Sequence, residues 1–307
     1  MGRFVVRRVL QAIPVLIGVT FLIYCLVFLL PGDPIQSLMG EKQDPHVAAL
    51  LRAQYHLNDP LYLQYWHYIS GVLTGNLGQT YTGREISQIV AQGFPVTLKL
   101  SLTAFGFEAA IGIVAGVFSA LRKGKFIDNL VLVTTLLLIS VPVFVLGNVL
   151  QLEFGVQWKL TPVAGIEDGW PASYVLPGFV LASASMAYIA RLTRASMMES
   201  VRADYVRTAI AKGLPRRRVI GVHALRNSLI PVITFLGMDL GALMGGAIIT
   251  EKIFNLPGIG GQLAQSVYLH EGPVVVGLVT LLVLIFLVAN LVVDVLYAVL
   301  DPRIRYE

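Results

Sequence analysis

The chain has 307 residues, 56% of them apolar and only 13% charged, with a formal net charge of +5 and a mean hydropathy of +0.73. A soluble domain carries about a quarter of its residues charged, so a water-soluble globular fold is excluded. Single apolar runs reach the roughly 20 residues that a helix needs to cross a bilayer, and the chain reads as an all-α, polytopic membrane protein.

Six spans follow in order. The first, at about 9–30, is VLQAIPVLIGVTFLIYCLVFLL, led in by Arg3, Arg7 and Arg8. It is too long for the apolar core of a signal peptide and no small-x-small cleavage site follows, so it is expected to stay as a helix. It holds Cys25, the single cysteine, which rules out an intrachain disulfide. Residues 31–97 form a separate segment. Pro31 to Pro34 ends the first span with turn residues, and His46 to Tyr55 and Leu61 to Leu73 carry apolar residues at helical spacing. Gly75-Asn76-Leu77-Gly78 breaks the second of these helices, and Tyr62, Tyr65, Trp66 and Tyr68 suit a headgroup-level belt. The segment reads either as a cap over the bundle or as a docking surface for an external partner. Residues 98–307 then form the core, with spans at about 98–121, 127–152 (containing Pro142), 174–190, 228–250 and 274–300.

Short-loop positive charge sets the expected orientation. Alternate connections hold Arg3, Arg7 and Arg8, then Arg122, Lys123 and Lys125, then nine residues within 191–226, then Arg303 and Arg305: 17 of the 23 Lys/Arg. Both termini and the segment 191–227 are therefore expected on the cytoplasmic side, with 31–97 outside.

That cytoplasmic segment, RLTRASMMESVRADYVRTAIAKGLPRRRVIGVHALRN, sets nine Lys/Arg against two acids between two apolar spans. Val201, Tyr205, Thr208 or Ala209, and Lys212 share a helical face. Gly213 supplies a C-cap and Pro215 forbids continuation, so a short amphipathic helix is expected to end abruptly. A surface helix held by anionic lipid explains the charge, whereas a helix docked in the groove of a soluble partner explains the abrupt stop. Nucleic-acid binding does not suit a segment flanked by membrane spans.

The chemistry that is present is sparse. There is no G-x-x-x-x-G-K-[ST] phosphate loop, so the chain is not expected to hydrolyse ATP by itself. No H-E-x-x-H occurs, and the five histidines show no metal-ligand spacing. Acids inside spans mark function because a charge in hydrocarbon is costly unless satisfied. Glu108 lies in the second span and Asp239 in the fifth, roughly 14 Å deep by helical rise. Both are candidates to line a substrate path or to pack between helices, and a proton-driven transporter using them is a competing reading. Asp294, near the end of the sixth span, is expected to pair with an inner-face arginine. Gly237, Gly241 and Gly245 recur every four residues, the spacing that lets two helix backbones approach in lipid.

Asp204-Tyr205-Val206-Arg207-Thr208-Ala209-Ile210-Ala211-Lys212-Gly213 resembles the EAA-type loop of ABC-transporter permeases, in its dipeptide/oligopeptide-importer form. Arg207-Thr208-Ala209-x-x-x-Gly213 aligns with E-A-A-x-x-x-G; Arg207 departs from the Glu of the general motif, and Leu229-Ile230-Pro231 falls later than its usual ending. The opening RRVLQAIPVLIGVTFLIYCLVFLLPGDP, NDPLYLQYW, GNLGQTYTG, FPVTLKLS, SVPVF, ARLTRASM, the run Glu251-x-x-Phe254-x-x-Pro257-Gly258-Ile259-Gly260 and the ending DVLYAVLDPRIRYE are similar to the same family. His270-Glu271-Gly272-Pro273 departs from it. The long segment 31–97 is similar to the first of the two permease subunits.

The resemblance implies a type I ABC-importer permease with six helices, forming half of a pore with a second, homologous permease. It implies two ATPase subunits, or one fused ATPase, carrying the ATP and magnesium, so no cofactor sits on this chain and it is not an enzyme. A substrate-binding protein outside the cell would deliver di- or oligopeptides, or, in relatives, nickel, haem or another small solute. Asp204, Tyr205, Arg207, Thr208, Ala209, Lys212, Gly213 and Leu214 would then contact the ATPase. The expected location is a bacterial or archaeal plasma membrane.

Overall fold

The structure is a computed structural model and describes residues 2–29, 45–54 and 57–300. The turn expected at 31–34, the charged end at 301–307 and the side chain of Asp294 lie outside the described residues. In hydrocarbon every backbone N–H and C=O must be satisfied within the chain, and helices do this locally. Among the described residues the chain is helical apart from turns and one isolated bridge, Gln79 to Glu85.

In order, the helices are α1 (Gly2–Leu29), α2 (Pro45–Gln54), α3 (Leu61–Leu73), α4 (Ile86–Phe107) and α5 (Ile113–Leu121). They continue with α6 (Phe126–Ser140), α7 (Val143–Leu150), α8 (Ala172–Arg202), α9 (Asp204–Ala211), α10 (Arg216–Arg218) and α11 (Leu225–Ser228). The last three are α12 (Ile230–Ile253), α13 (Ile259–Tyr268) and α14 (Gly272–Leu300). Three π-helical stretches interrupt the series at Glu108–Gly112, Gln151–Gln157 and Val219–Ala224. Among the described residues, five helical runs are long and apolar enough to cross a membrane, or six if one bent pair counts as a span.

Three spans differ from their sequence reading. The second begins at Ile86, so that α4, the π-turn and α5 form one 36-residue helical run. The third is broken. Phe126–Ser140 and Val143–Gln157 meet at 104°, because Pro142 caps α7 in an extended conformation and cannot donate to the preceding turn. The fourth, expected to be short, is α8, whose 31 residues run on through Arg191 and Arg194.

Helix α8 is the hub. Its most apolar stretch is 61% buried, against 11% for α1, and it packs on α4, the first π-turn, α5, α6, α7 and α12. Small residues permit this: at Gly116 a Cβ would lie 2.5 Å from the carbonyl oxygen of Ala190, so only glycine allows α5 to approach α8 so closely. The main core joins Val96, Leu100 and Ala104 of α4 to Tyr174, Val180 and Leu181 of α8 and Leu243 and Ala247 of α12.

Helix α1 packs at the edge, along α14. Helix α3 lies across both. Its Tyr65 hydroxyl meets Thr20 at 2.9 Å, and Tyr68 donates to Thr280 at 2.7 Å. Burial pushes the Tyr68 phenol up to about 12, so it stays a neutral donor. The four aromatics expected at headgroup level thus divide: Tyr65 and Tyr68 pin α3 to the bundle, while Tyr62 and Trp66 face outward.

Candidate functional site

The short helix expected after Ala203 is present. Ala203 is extended, which separates α8 from α9, and the two apolar residues Val206 and Ala209, one turn apart, turn inward. They join Met197 of α8, Val219 and Ala224 in one buried cluster, flanked by Ala120, Leu121, Leu214 and Ile220. Tyr205, 43% exposed, and Ile210, 61% exposed, flank this buried stripe on its two sides. The side chains of Asp204 and Arg207 are almost free of the protein and meet each other at 3.3 Å, a pair that contributes little in water. Thr208 donates to the Asp204 carbonyl at 2.9 Å.

The helix ends as its sequence requires. Lys212 is the C-cap, and Gly213 sits at φ +75°, in the left-handed region that glycine enters without a Cβ clash. Gly213 N–H donates to the Ile210 carbonyl at 2.9 Å and Leu214 N–H to the Ala209 carbonyl at 3.3 Å. This double bond pattern is a Schellman motif, and Leu214 supplies its accompanying apolar contact. Of the eight residues singled out here, Ala209 faces the bundle and Leu214 half-faces it; Asp204, Tyr205, Arg207, Thr208, Lys212 and Gly213 are exposed. The helical face shared by Tyr205, Thr208 and Lys212 is therefore exposed, and Ile210 lies beyond the buried stripe on its other side.

The intramembrane candidates fall elsewhere. Glu108 is fully buried at the start of the first π-turn, and its carboxyl group meets that of Asp239 on α12. Neither Glu108 oxygen, nor Asp239 Oδ2, has a donor among its neighbours, so the contact is a hydrogen bond only when one of the two carries a proton. Full burial puts Glu108 between helices in this chain. Gly237 packs on Val293 and Gly241 on Phe286 and Ala289, making a close α12–α14 contact, whereas nothing lies within 4 Å of a Cβ at Gly245.

Two further carboxylates matter structurally: Glu251, which opens the family-like run ending at Gly260, and Asp128, which no sequence signal marked. Glu251, fully buried in the last turn of α12, accepts from Thr97 Oγ1 at 2.6 Å and from the Gly261 N–H at 2.8 Å, with Gly260 beside it. Thr97 in turn accepts from the Ile259 N–H at 2.9 Å. The first turn of α13 is thereby seated on α4 and α12. Asp128, at the start of α6, is 2% exposed and binds Arg194. Among the described residues no group of three or more His, Cys, Asp or Glu comes together as a metal site.

Comparison with known proteins decides the family. Residues 112–306 match the family of binding-protein-dependent transport system inner membrane components, and residues 1–101 match the N-terminal family of such membrane components. The chain belongs to the binding-protein-dependent transport permeases. It is 40% identical over 308 residues to the glutathione transport system permease protein GsiC of Escherichia coli K12, covering all of both chains. It is also 40% identical to the di/tripeptide transport system permease protein DppB of Pseudomonas aeruginosa UCBPP-PA14, covering 99% of each. Among solved structures, the inward-facing MetNI methionine ABC transporter superposes with a TM-score of 0.53 at 20% identity, over 68% of this chain and 96% of that one. This permease therefore has the ABC-importer permease fold, and α9 lies where the EAA-like residues of its sequence fall.

Proposed function

We propose that this permease is half of the translocation pore of an ATP-driven importer of short peptides, and that α9 is where a soluble ATPase engages it. The observation that carries the reading is the construction of α9. Two buried residues, Val206 and Ala209, fix it to the bundle, while Tyr205, Thr208, Ile210 and Lys212 stay exposed around the rest of its circumference, which ends in a fixed turn. An exposed tyrosine and an exposed isoleucine on an otherwise polar and charged helix suit a protein groove better than water.

The likeness to permeases named for glutathione and for di- and tripeptides supports a short peptide as substrate. A second, homologous permease would complete the pore. Two ATPase subunits, or one fused ATPase, would hold ATP and magnesium, and an external binding protein would supply the peptide. Binding of ATP shifts the bundle because it favours one arrangement of the paired permeases over the other. The excess of Lys/Arg in alternate connections supports a cytoplasmic position for α9 and both termini, in a bacterial or archaeal plasma membrane. The apolar outward side chains of α1, such as Leu10, Phe21 and Leu22, suit contact with lipid.

The test is removal of residues 204–214, beside the point variant Gly213→Pro, with co-purification of the ATPase and uptake of labelled trialanine and labelled glutathione as readouts. Loss of both ATPase and uptake is expected; unchanged assembly and transport would sink the role of α9. Uptake into vesicles lacking any ATPase would instead favour an ion-driven transporter working through Glu108 and Asp239.

A further inference from the structure

Helix α9 does not stand on α8 alone. Val206 and Ala209 share their buried cluster with Met197 of α8 and with Val219 and Ala224 of the third π-helical stretch, and Ala120 and Leu121, the last residues of α5, pack against that cluster. Any push on α9 is therefore received by a cluster to which α8, the third π-helical stretch and the end of α5 all contribute. One carboxylate joins them. Asp128 Oδ1 accepts from Arg194 Nε at 2.6 Å and Oδ2 from Arg194 Nη2 at 2.9 Å, a fork-to-fork pair. The same carboxylate accepts from the hydroxyl of Ser119 on α5 and, at 2.8 Å, from the Gly124 N–H in the turn between α5 and α6.

The register of these groups is what gives them meaning. Ser119 directly precedes Ala120 and Leu121, and Arg194 lies three residues before Met197, so both side chains that bind Asp128 adjoin residues of the cluster in which α9 is seated. One turn further along α8, Arg191 donates to Thr135 of α6 at 3.2 Å, extending the stitch. The Gly116 approach to Ala190 and Thr193 removes slack on the α5 side. The inner ends of α5, α6 and α8 thus form one block, with α9 seated on its end.

We propose that the Asp128–Arg194 pair, bridged to Ser119, is the positioning link that makes α5, α6 and α8 move together when α9 moves, and so sets how much transport each ATP yields. This rests on the reading of α9 as the ATPase contact. It differs from that reading because none of these side chains reaches the exposed face of α9. A buried ion pair is also weak as a source of stability, since apolar residues of similar volume often replace one without loss. Its specific work here is directional: a bidentate pair resists sliding between helices, which apolar contact permits.

The experiment uses the whole importer in vesicles, reading ATP hydrolysed per labelled trialanine imported, with labelled glutathione run in parallel, and ATPase co-purification. The double variant Asp128→Leu/Arg194→Met keeps volume and removes both charges. It is expected to retain the ATPase but to spend at least fivefold more ATP per peptide. Arg194→Lys, which keeps the charge and loses the fork, is expected to give an intermediate ratio and decides the matter if the double variant does not assemble. A ratio within twofold of the parent, with the ATPase bound, overturns the link while leaving the α9 reading intact. Retention of the ATPase after deletion of 204–214 overturns the α9 reading, and this inference with it.

Discussion

Two buried carboxylates, Glu251 of α12 and Asp128 of α6, are used in opposite ways. At the Glu251 end, the acid accepts from backbone N–H groups of α13 and from Thr97, and no part of it meets solvent. That end is a seat for backbone, and its hydrogen bonds close the fold. At the start of α6, Asp128 instead binds a side chain, Arg194 of α8, three residues before Met197, which lies in the cluster that seats α9. The difference teaches which residues hold shape and which transmit contact. Where a carboxylate binds amides, removing it should unfold; where it binds a guanidinium near the proposed ATPase contact, removing it should uncouple.

Substitutions can break this contrast in order of expected effect on stability. Glu251→Ala strands the Thr97 hydroxyl and two N–H groups in a dry site, and is expected to cost about 3 kcal/mol or more; thermal unfolding of the purified permease would show it as a large drop in midpoint. Gly116→Val forces a side chain against the Ala190 carbonyl and the Thr193 side chain and should cost about 2 kcal/mol by overpacking, with a matching fall in midpoint. Gly213→Ala places a Cβ at a left-handed position and should cost about 1 kcal/mol, most of it local to the end of α9; hydrogen exchange at Gly213 and Leu214 should rise while the spans keep their protection. Tyr205→Ser with Ile210→Ser touches only exposed side chains and should change stability by about 0.5 kcal/mol or less. That pair should nevertheless release the ATPase, measured by co-purification. If instead the last variant lowers the unfolding midpoint as much as the first, the Glu251 region and the α9 region are not distinct.

What could be read from the sequence follows how local its cause is. Helix α9 was legible because its stop signals, Gly213 and Pro215, are local, but its inward face was not: the grouped Val201, Tyr205 and Lys212 are exposed, and Val206 and Ala209 are buried. The six apolar runs were legible for the same local reason. The start of the second span at Ile86 was not, since Ser87, Gln88, Gln92, Thr97 and Lys99 dilute its hydropathy, while packing against α13 and α14 buries Ile86 and Ile89. Nor did Pro142 announce a 104° bend rather than a kink. The carboxylate nodes were hidden by distance along the chain: Thr97 and Glu251 are 154 residues apart, and Asp128 and Arg194 are 66. Spacing by four also misled for Gly245. Each four-residue step turns about 40° beyond a full helical revolution, so the third glycine has left the face that Gly237 and Gly241 present to α14.

The most direct test of the account asks what covers the exposed face of α9. Cys25, the single native cysteine, is replaced by serine and Ile210 by cysteine, and a short bifunctional cross-linker is applied to the assembled importer. The account predicts a cross-link from position 210 to the ATPase subunit, whose yield changes when ATP is added. Absence of any such cross-link, with position 210 instead labelled equally well in the presence and absence of the ATPase, would contradict it.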